Sequence, residues 1–294
     1  MKSRQDAPVI WINRNLDQIM MLRLGYDIQF EIPAPVAMVA LLNVHPSRVA
    51  DLRAPDEIHI DPWTPVENFM DGFGNRCTRF VAQQGLLRLT NSTLLQDSGF
   101  ADPVNYGARA LPVHELPHQI LGYLLNSRYC EVDRFPDIAT GLFGHIAPGW
   151  GRVQAVCDWV HANVTFGYEY ARNTRTALEV FSERVGVCRD FQHLAVTLCR
   201  ALHIPARYAT GYLGDIGVPV VASPMDFSAW FEAYLEDRWW TFDARHNQPR
   251  YGRVLMATGR DASDVAMTTS FGTANLKSFS VVSESAAQEN IQHA

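Results

Sequence analysis

The sequence predicts an α+β protein: a first part built of antiparallel strands, sandwich-like, and a second part in which helices pack on an antiparallel sheet. Three observations carry that expectation. Residues 22–110 read as short runs, LRLGYDIQFEIP, VAMVALLNVHP, RCTRFVA and GLLRLTNSTLL, separated by Pro, Gly, Asp and Asn. Trp150, Val153, Cys157, Val160 and Val164 recur at helical spacing, as do Phe191, Leu194, Ala195, Leu198 and Leu202. ARYATGYL, SAWFEAYL and WWTFDA then follow as aromatic and β-branched runs.

In the first part, the Gly74-Asn75 pair of FGNRC suits a tight hairpin. The stretch ELPHQILGYLLNSRYCEVDRF, residues 115–135, shifts toward helix and reads as the junction. A helix starting after Pro148-Gly149 buries Trp150 and Cys157 and leaves His161 to solvent. A second helix, from Asp190 to about His203, is stopped by Pro205, with Cys188 at its first turn. Glu236-Asp237-Arg238 joins the next two strands as a hairpin, VAMTTSF and LKSFSVV add two more, and SESAAQENIQHA is a polar end expected to fray. The expected division is a β domain over residues 1–115, a core domain over 116–285 and a tail over 286–294.

The composition, 47% apolar and 19% charged, is that of a chain able to bury a core. A net charge of −6 without a dense Lys/Arg cluster argues against nucleic acid as a partner. The start, MKSRQDAPVIWINRN, lacks the apolar run of a secretory signal, and no stretch reaches the roughly 18 apolar residues of a membrane span. Cys77, Cys130, Cys157, Cys188 and Cys199 are odd in number and widely spaced, a pattern that fits neither a disulfide framework nor a zinc site and suggests a cytoplasmic setting. No EF-hand pattern is present, and no cofactor or metal is expected.

Cys188 admits two readings: a small buried apolar residue, or a thiolate stabilised by the N–H groups and dipole of a helix start. Gly186, two residues earlier, would leave room for a substrate. Cys199, in mid-helix, reads as inert. A thiolate nucleophile needs a base and a group that orients the base, and both are sought in DFSAWFEAYLEDRWWTFDARHN.

The run GVCRDFQHLAVTLCRALHIPARYATGYL followed by AWFEAYLEDRWWTFDA resembles the core of the bacterial transglutaminase-like superfamily, over roughly residues 150–250. The resemblance implies a papain-like arrangement, with Cys188 as nucleophile and Asp243 as orienting aspartate. It also implies a histidine immediately before AWFE, where this chain has Ser228. Serine cannot take a proton near neutral pH. If the hairpin pairs Leu235 with Arg238, Ser228 and Asp243 are diagonal neighbours on one face, suited to a direct or water-bridged hydrogen bond. His193 points away from Cys188 round the helix, His203 closes the helix end, and His246, three residues after Asp243, is the alternative base.

Three functions follow as expectations. The first is acyl transfer or amide hydrolysis on a peptide or protein through a Cys188 thioester. The second is a catalytically degenerate module that holds a peptide or protein partner against Trp230, Trp239, Trp240 and Phe242, of which Trp230 is the expected substrate contact and the others also read as sheet core. The third, Ser228 as nucleophile, lacks a GxSxG elbow.

Overall fold

Leu22, Leu24, Tyr26, Ile28, Phe30 and Ile32 alternate inward along β1 (Met20–Ile32), the period-two pattern that makes a strand bury one face. The computed structural model describes residues 19–220 and 225–286, so the sequence start and most of the expected polar tail lie outside the described residues. The first part continues with β2 (Val36–Ala40), β3 (His59–Asp61), β4 (Val66–Met70), β5 (Arg76–Ala82) and β6 (Gly85–Asp97). The second part carries α1 (Pro136–Phe143), α2 (Trp150–Asn163), β7 (Thr165–Phe166), α3 (Ala177–Glu183), β8 (Val185–Gly186), α4 (Cys188–Ala201), β9 (Ala206–Leu213), β10 (Ser228–Leu235), β11 (Arg238–Phe242) and β12 (Arg253–Gly259). The chain ends on β13 (Thr268–Ser270) and β14 (Asn275–Ser285).

The fold is α+β. Three four-stranded sheets run in the orders β14-β1-β6-β3, β13-β2-β5-β4 and β11-β10-β9-β12, and every pairing in them is antiparallel. The first two enclose a common core that includes Leu24, Ile28, Met38, Phe80 and Leu89. Tyr212, Phe227, Val254 and Met256 of the third sheet and its approach enter that same core.

The sheets do not divide where the sequence suggested a domain boundary. β13 and β14, placed by sequence in the core domain of residues 116–285, pair instead with β2 and β1. The first part therefore draws strands from both ends of the chain. The junction also differs from the expected helix: residues 113–115, 118–124 and 132–134 form separate 3-10 turns, and only Ile120 of these is buried. Pro112 and Pro117 precede the first two turns, and proline, which has no backbone N–H, cannot extend an α-helical ladder across such a point.

Gly149 opens α2 at φ 148°, where a side chain would collide with the Ala108 carbonyl 2.5 Å away. The helix then buries Trp150, Val153, Cys157 and Val160. The loop at FGNRC is more than a hairpin tip: Asn75 is fully buried and accepts from Thr258 N–H at 2.9 Å while donating to Thr258 C=O at 2.9 Å. That side chain therefore ties the first part to β12.

Helix α4 departs furthest from its pattern. The apolar stripe predicts one buried face, yet every residue from Asp190 to Ala201 is buried. The helix runs through the middle of the second part, between β10 and β9 on one side and the other helices on the other. Each of Phe191, Leu194 and Leu198 contributes about 1.5–3 kcal/mol by leaving water. Its polar residues must find partners inside, and they do: Arg200 donates to the carbonyls of Ala206, Leu125 and Arg260. Thr197 donates to the His193 carbonyl.

Candidate active site

The first turn of α4 is arranged around Asp190. Its carboxylate accepts from the Val187 N–H at 3.0 Å, meets the Arg175 guanidinium at 3.2 Å and is fully buried. Gly186 exists for this carboxylate: a Cβ there would meet the Asp190 side chain at 2.6 Å. The expected role of Gly186 in admitting substrate is thus corrected, because the space beside it is already filled.

Cys188 is half-buried, while Cys77, Cys130, Cys157 and Cys199 are fully buried and free. Its side chain packs on the cluster of Tyr208 and Ala229. Desolvation is the largest influence on the thiol and pushes it up to about 11; Arg245 opposes that shift, Asp226 adds to it, and backbone hydrogen bonds from Ala229 and Arg189 oppose it. Close packing, which takes water from the sulfur, thus works against the thiolate reading, while Arg245 and the backbone N–H groups of Ala229 and Arg189 work for it.

Cys188 nevertheless reaches open space on two sides. A cavity of about 850 Å³ is lined by Cys188, Ser228, Tyr129, Arg189 and Tyr208, with Met267 and Thr268 at its β13 end. A second, of about 550 Å³, is lined by Cys188, Ser228, Arg245 and His246, with Ser283, Glu284 and Ser285 of β14 forming part of its wall. Asp226, Phe227 and Ser228 border both, so the two cavities are arms of one cleft that meets at Cys188.

The hairpin pairs Leu235 with Arg238 as expected, and the ladder runs to Phe231 opposite Phe242. Beyond that the chain winds into a turn that Asp243 caps itself: its Oδ1 accepts from Arg245 N–H at 3.0 Å and His246 N–H at 3.1 Å, and its carbonyl accepts from Asn247 N–H at 2.8 Å. This turn carries the His246 ring back onto its own aspartate, Nδ1 lying 2.9 Å from Oδ2. Burial alone would raise Asp243. The hydrogen bond from His246 and the charge of Arg253 outweigh burial and hold the carboxyl well below the usual range. With Asp243 ionised, Nδ1 carries the ring proton and Nε2 is the basic nitrogen.

The structure thus brings Cys188, Ser228 and His246 to one cavity and sets Asp243 behind His246. It does not join Ser228 to Asp243. The Asp243 carboxylate is taken up by His246, by Gln192 Nε2 at 3.1 Å, by Arg253 at 3.3 Å and by the turn's N–H groups, which leaves the serine hydroxyl out of the network. Ser228 is 7% exposed, and its carbonyl accepts from Thr210 Oγ1 at 3.0 Å.

Trp230 is also displaced from its expected place. It is 1% exposed, lines neither arm of the cleft, and lies under the Arg253 guanidinium at 4.6 Å from the ring centroid. Trp240 and Phe242 are core, packed on Trp150. His193 is fully buried, stacked on Tyr129, and accepts from the Ala262 N–H at 3.1 Å. His161, read as solvated, is exposed but bonds the Arg245 carbonyl through Nδ1 at 2.7 Å.

Sequence reasoning missed three residues of this network. Gln192 bonds Asp243 and the Ala229 carbonyl and accepts from Ala244 N–H. Arg253, on the overlooked strand β12, bridges Asp243 to Asp102 through a pair of 3.1 Å contacts. Arg245 lies over the Phe166 ring at 3.8 Å. Gln192 lies off the apolar stripe of its helix, among other polar residues, so the periodicity gave no sign of this role.

Residues 137–244 match the family model described as the transglutaminase-like superfamily. A "Putative Cysteine Protease" of Cytophaga hutchinsonii has a solved structure 30% identical to this chain, covering 92% of each, with a TM-score of 0.80. "Uncharacterized protein ML0607" of Mycobacterium leprae is 32% identical over 117 residues, and the match spans 39% of this chain and 42% of that relative's length. The periplasmic domain of TgpA from Pseudomonas aeruginosa, bound to ethylmercury, is 16% identical over 76% of this chain and 90% of that one, with a TM-score of 0.39, too low to bear on the fold. This chain belongs to the transglutaminase-like superfamily.

Proposed function

We propose that the protein is a cysteine-dependent acyl transferase or amide hydrolase acting on a peptide or protein, in which His246 serves as the base that Ser228 cannot be. The observation that carries this reading is the 2.9 Å contact that orients His246 on Asp243 at the edge of the cavity holding Cys188. The Cys188 proton passes to His246 Nε2 as sulfur attacks the substrate carbonyl carbon. A C–S bond forms, the C–N bond breaks, and the proton leaves with the amine. Water or a second amine then attacks the thioester, loses a proton to His246 and releases sulfur, which recovers it. Proton transfer accompanies attack instead of preceding it, in keeping with a thiol pushed up to about 11.

The two arms of the cleft suit the two sides of a scissile amide. The alternative, a degenerate module that holds a peptide or protein without reacting, is favoured by that same raised thiol and by Ser228. A cytoplasmic setting forms part of the proposal and is supported by five unpaired cysteines; no helix among the described residues is long and apolar enough to cross a membrane. The deciding test is intact-protein mass spectrometry with peptide amides and activated esters. Acylation of Cys188 in the wild type, lost in Cys188→Ala and in His246→Ala, is the expected result. Peptide binding that survives Cys188→Ala, with no acyl adduct on the wild type, would establish the module instead.

A further inference from the structure

A histidine before AWFE would give the nucleophile two things, a proton acceptor and a neighbouring positive charge once protonated. His246 can supply the first. We infer that Arg245 supplies the second: its guanidinium, facing Cys188 across the cavity that Ser228 leaves open, stabilises the thiolate, and Asp226 opposes it.

Arg245 lines the same arm as Cys188, Ser228 and His246. Its backbone is fixed by the Asp243 turn, through the 3.0 Å bond from its N–H to Oδ1. Its head is seated on the Phe166 ring at 3.8 Å, a contact that costs the guanidinium no charge. No ion pair joins it to a carboxylate among the described residues, in contrast to Arg175, Arg189 and Arg253, each tied to a buried aspartate. Its charge is therefore not spent on a fixed partner, and a guanidinium cannot lose its proton in this range. Arginine provides a constant field and takes no part in proton transfer, so it acts through Cys188 and is not itself a catalytic residue. The groups that share this arm with it are Tyr168, Asp215, Asp226, His246, Arg250 and Glu284. Of these, Asp226 borders both arms beside Cys188 and is itself exposed, so its charge, when ionised, acts against that of Arg245 through partly solvated space.

The inference rests on Cys188 being the reactive group, but its test needs no turnover. Iodoacetamide alkylation of Cys188, followed by mass spectrometry across pH 6–11, reports thiolate directly, since the other four cysteines are buried. Arg245→Gln is expected to slow alkylation about tenfold at pH 8, one unit of thiol shift. Arg245→Lys should keep most of the wild-type rate, and Asp226→Asn should accelerate it. Identical profiles for the wild type and Arg245→Gln would overturn the inference, as would a loss in Arg245→Lys equal to that in Arg245→Gln. If Arg245→Gln does not fold, Asp226→Asn decides: no acceleration means that these two charges do not govern the sulfur. Peptide acylation could fail with these alkylation results intact, or persist without them, so the two readings fall separately.

Discussion

Gln192 and Asp243 are joined by an amide–carboxylate hydrogen bond of 3.1 Å that links the helix carrying Cys188 to the end of β11. The same amide donates to the Ala229 carbonyl at 3.2 Å and accepts from the Ala244 N–H at 3.2 Å, so one side chain sets the helix against both strands of the hairpin. Gln192→Leu keeps the volume and removes all three bonds. It should destabilise the protein by about 2–4 kcal/mol, because buried polar groups lose their partners. Urea unfolding is the measurement: a lower midpoint at unchanged m is expected.

His246→Ala should lower the rate of Cys188 acylation by peptide amides roughly 100- to 10,000-fold, the usual weight of a general base. An activated ester, which needs less help in expelling its leaving group, should suffer less. Parallel assays on the two substrates would separate loss of a base from loss of structure.

Ser228→His restores the residue type expected before AWFE, in a position that already borders both arms of the cleft. The expected outcome is faster acylation, and the combined variant Ser228→His with His246→Ala should retain activity that His246→Ala alone loses. Kinetics on the four proteins of this cycle supply the check.

Acid should destabilise the fold through two buried groups. Asp243 is held well below the usual carboxyl range, so its contribution is present above about pH 3.9 and disappears as pH falls through its folded value. Burial pushes His193 far down, so it is neutral when folded while the unfolded chain takes up a proton below about pH 6.5. The unfolded state then binds more protons, and stability falls as the solution becomes more acidic. His193→Gln, which keeps an acceptor for the Ala262 N–H, should flatten the slope of unfolding free energy between pH 6.5 and 5. A residual slope is expected from His45, lowered to about 4 mainly by burial.

Trp230→Ala should cost about 3–5 kcal/mol of stability, the scale for an emptied aromatic core site. Thermal or urea unfolding would report it. Had Trp230 walled the cleft, the same substitution would weaken substrate binding and leave stability nearly unchanged.

The local patterns were readable where one period governs a segment. SAWFEAYL is β10 to the residue, and the Leu235–Arg238 hairpin pairing follows from its turn. Position 228 stood out because serine stands where the resemblance implies a histidine. What escaped the sequence depends on distance along the chain. Arg253 acquires meaning only when Asp102 is placed 151 residues away beside it. The short strands β13 and β14 showed their type but not their partners, which lie at the opposite end of the chain. How closely Cys188 is packed could not be read locally either: desolvation by Tyr208 and Ala229, which come from strands further along the chain, opposes what a helix start offers an anion.

Because Tyr212, Phe227, Val254 and Met256 are packed into the β-sandwich's interior, the half that carries α4 has no boundary at which it could be cut out. A fragment limited to residues 137–244 would present that apolar surface to solvent and forfeit Arg253 as well. The segment that the family model matches is thus not a portable module: part of the core it shares with the sandwich would be left without its other side.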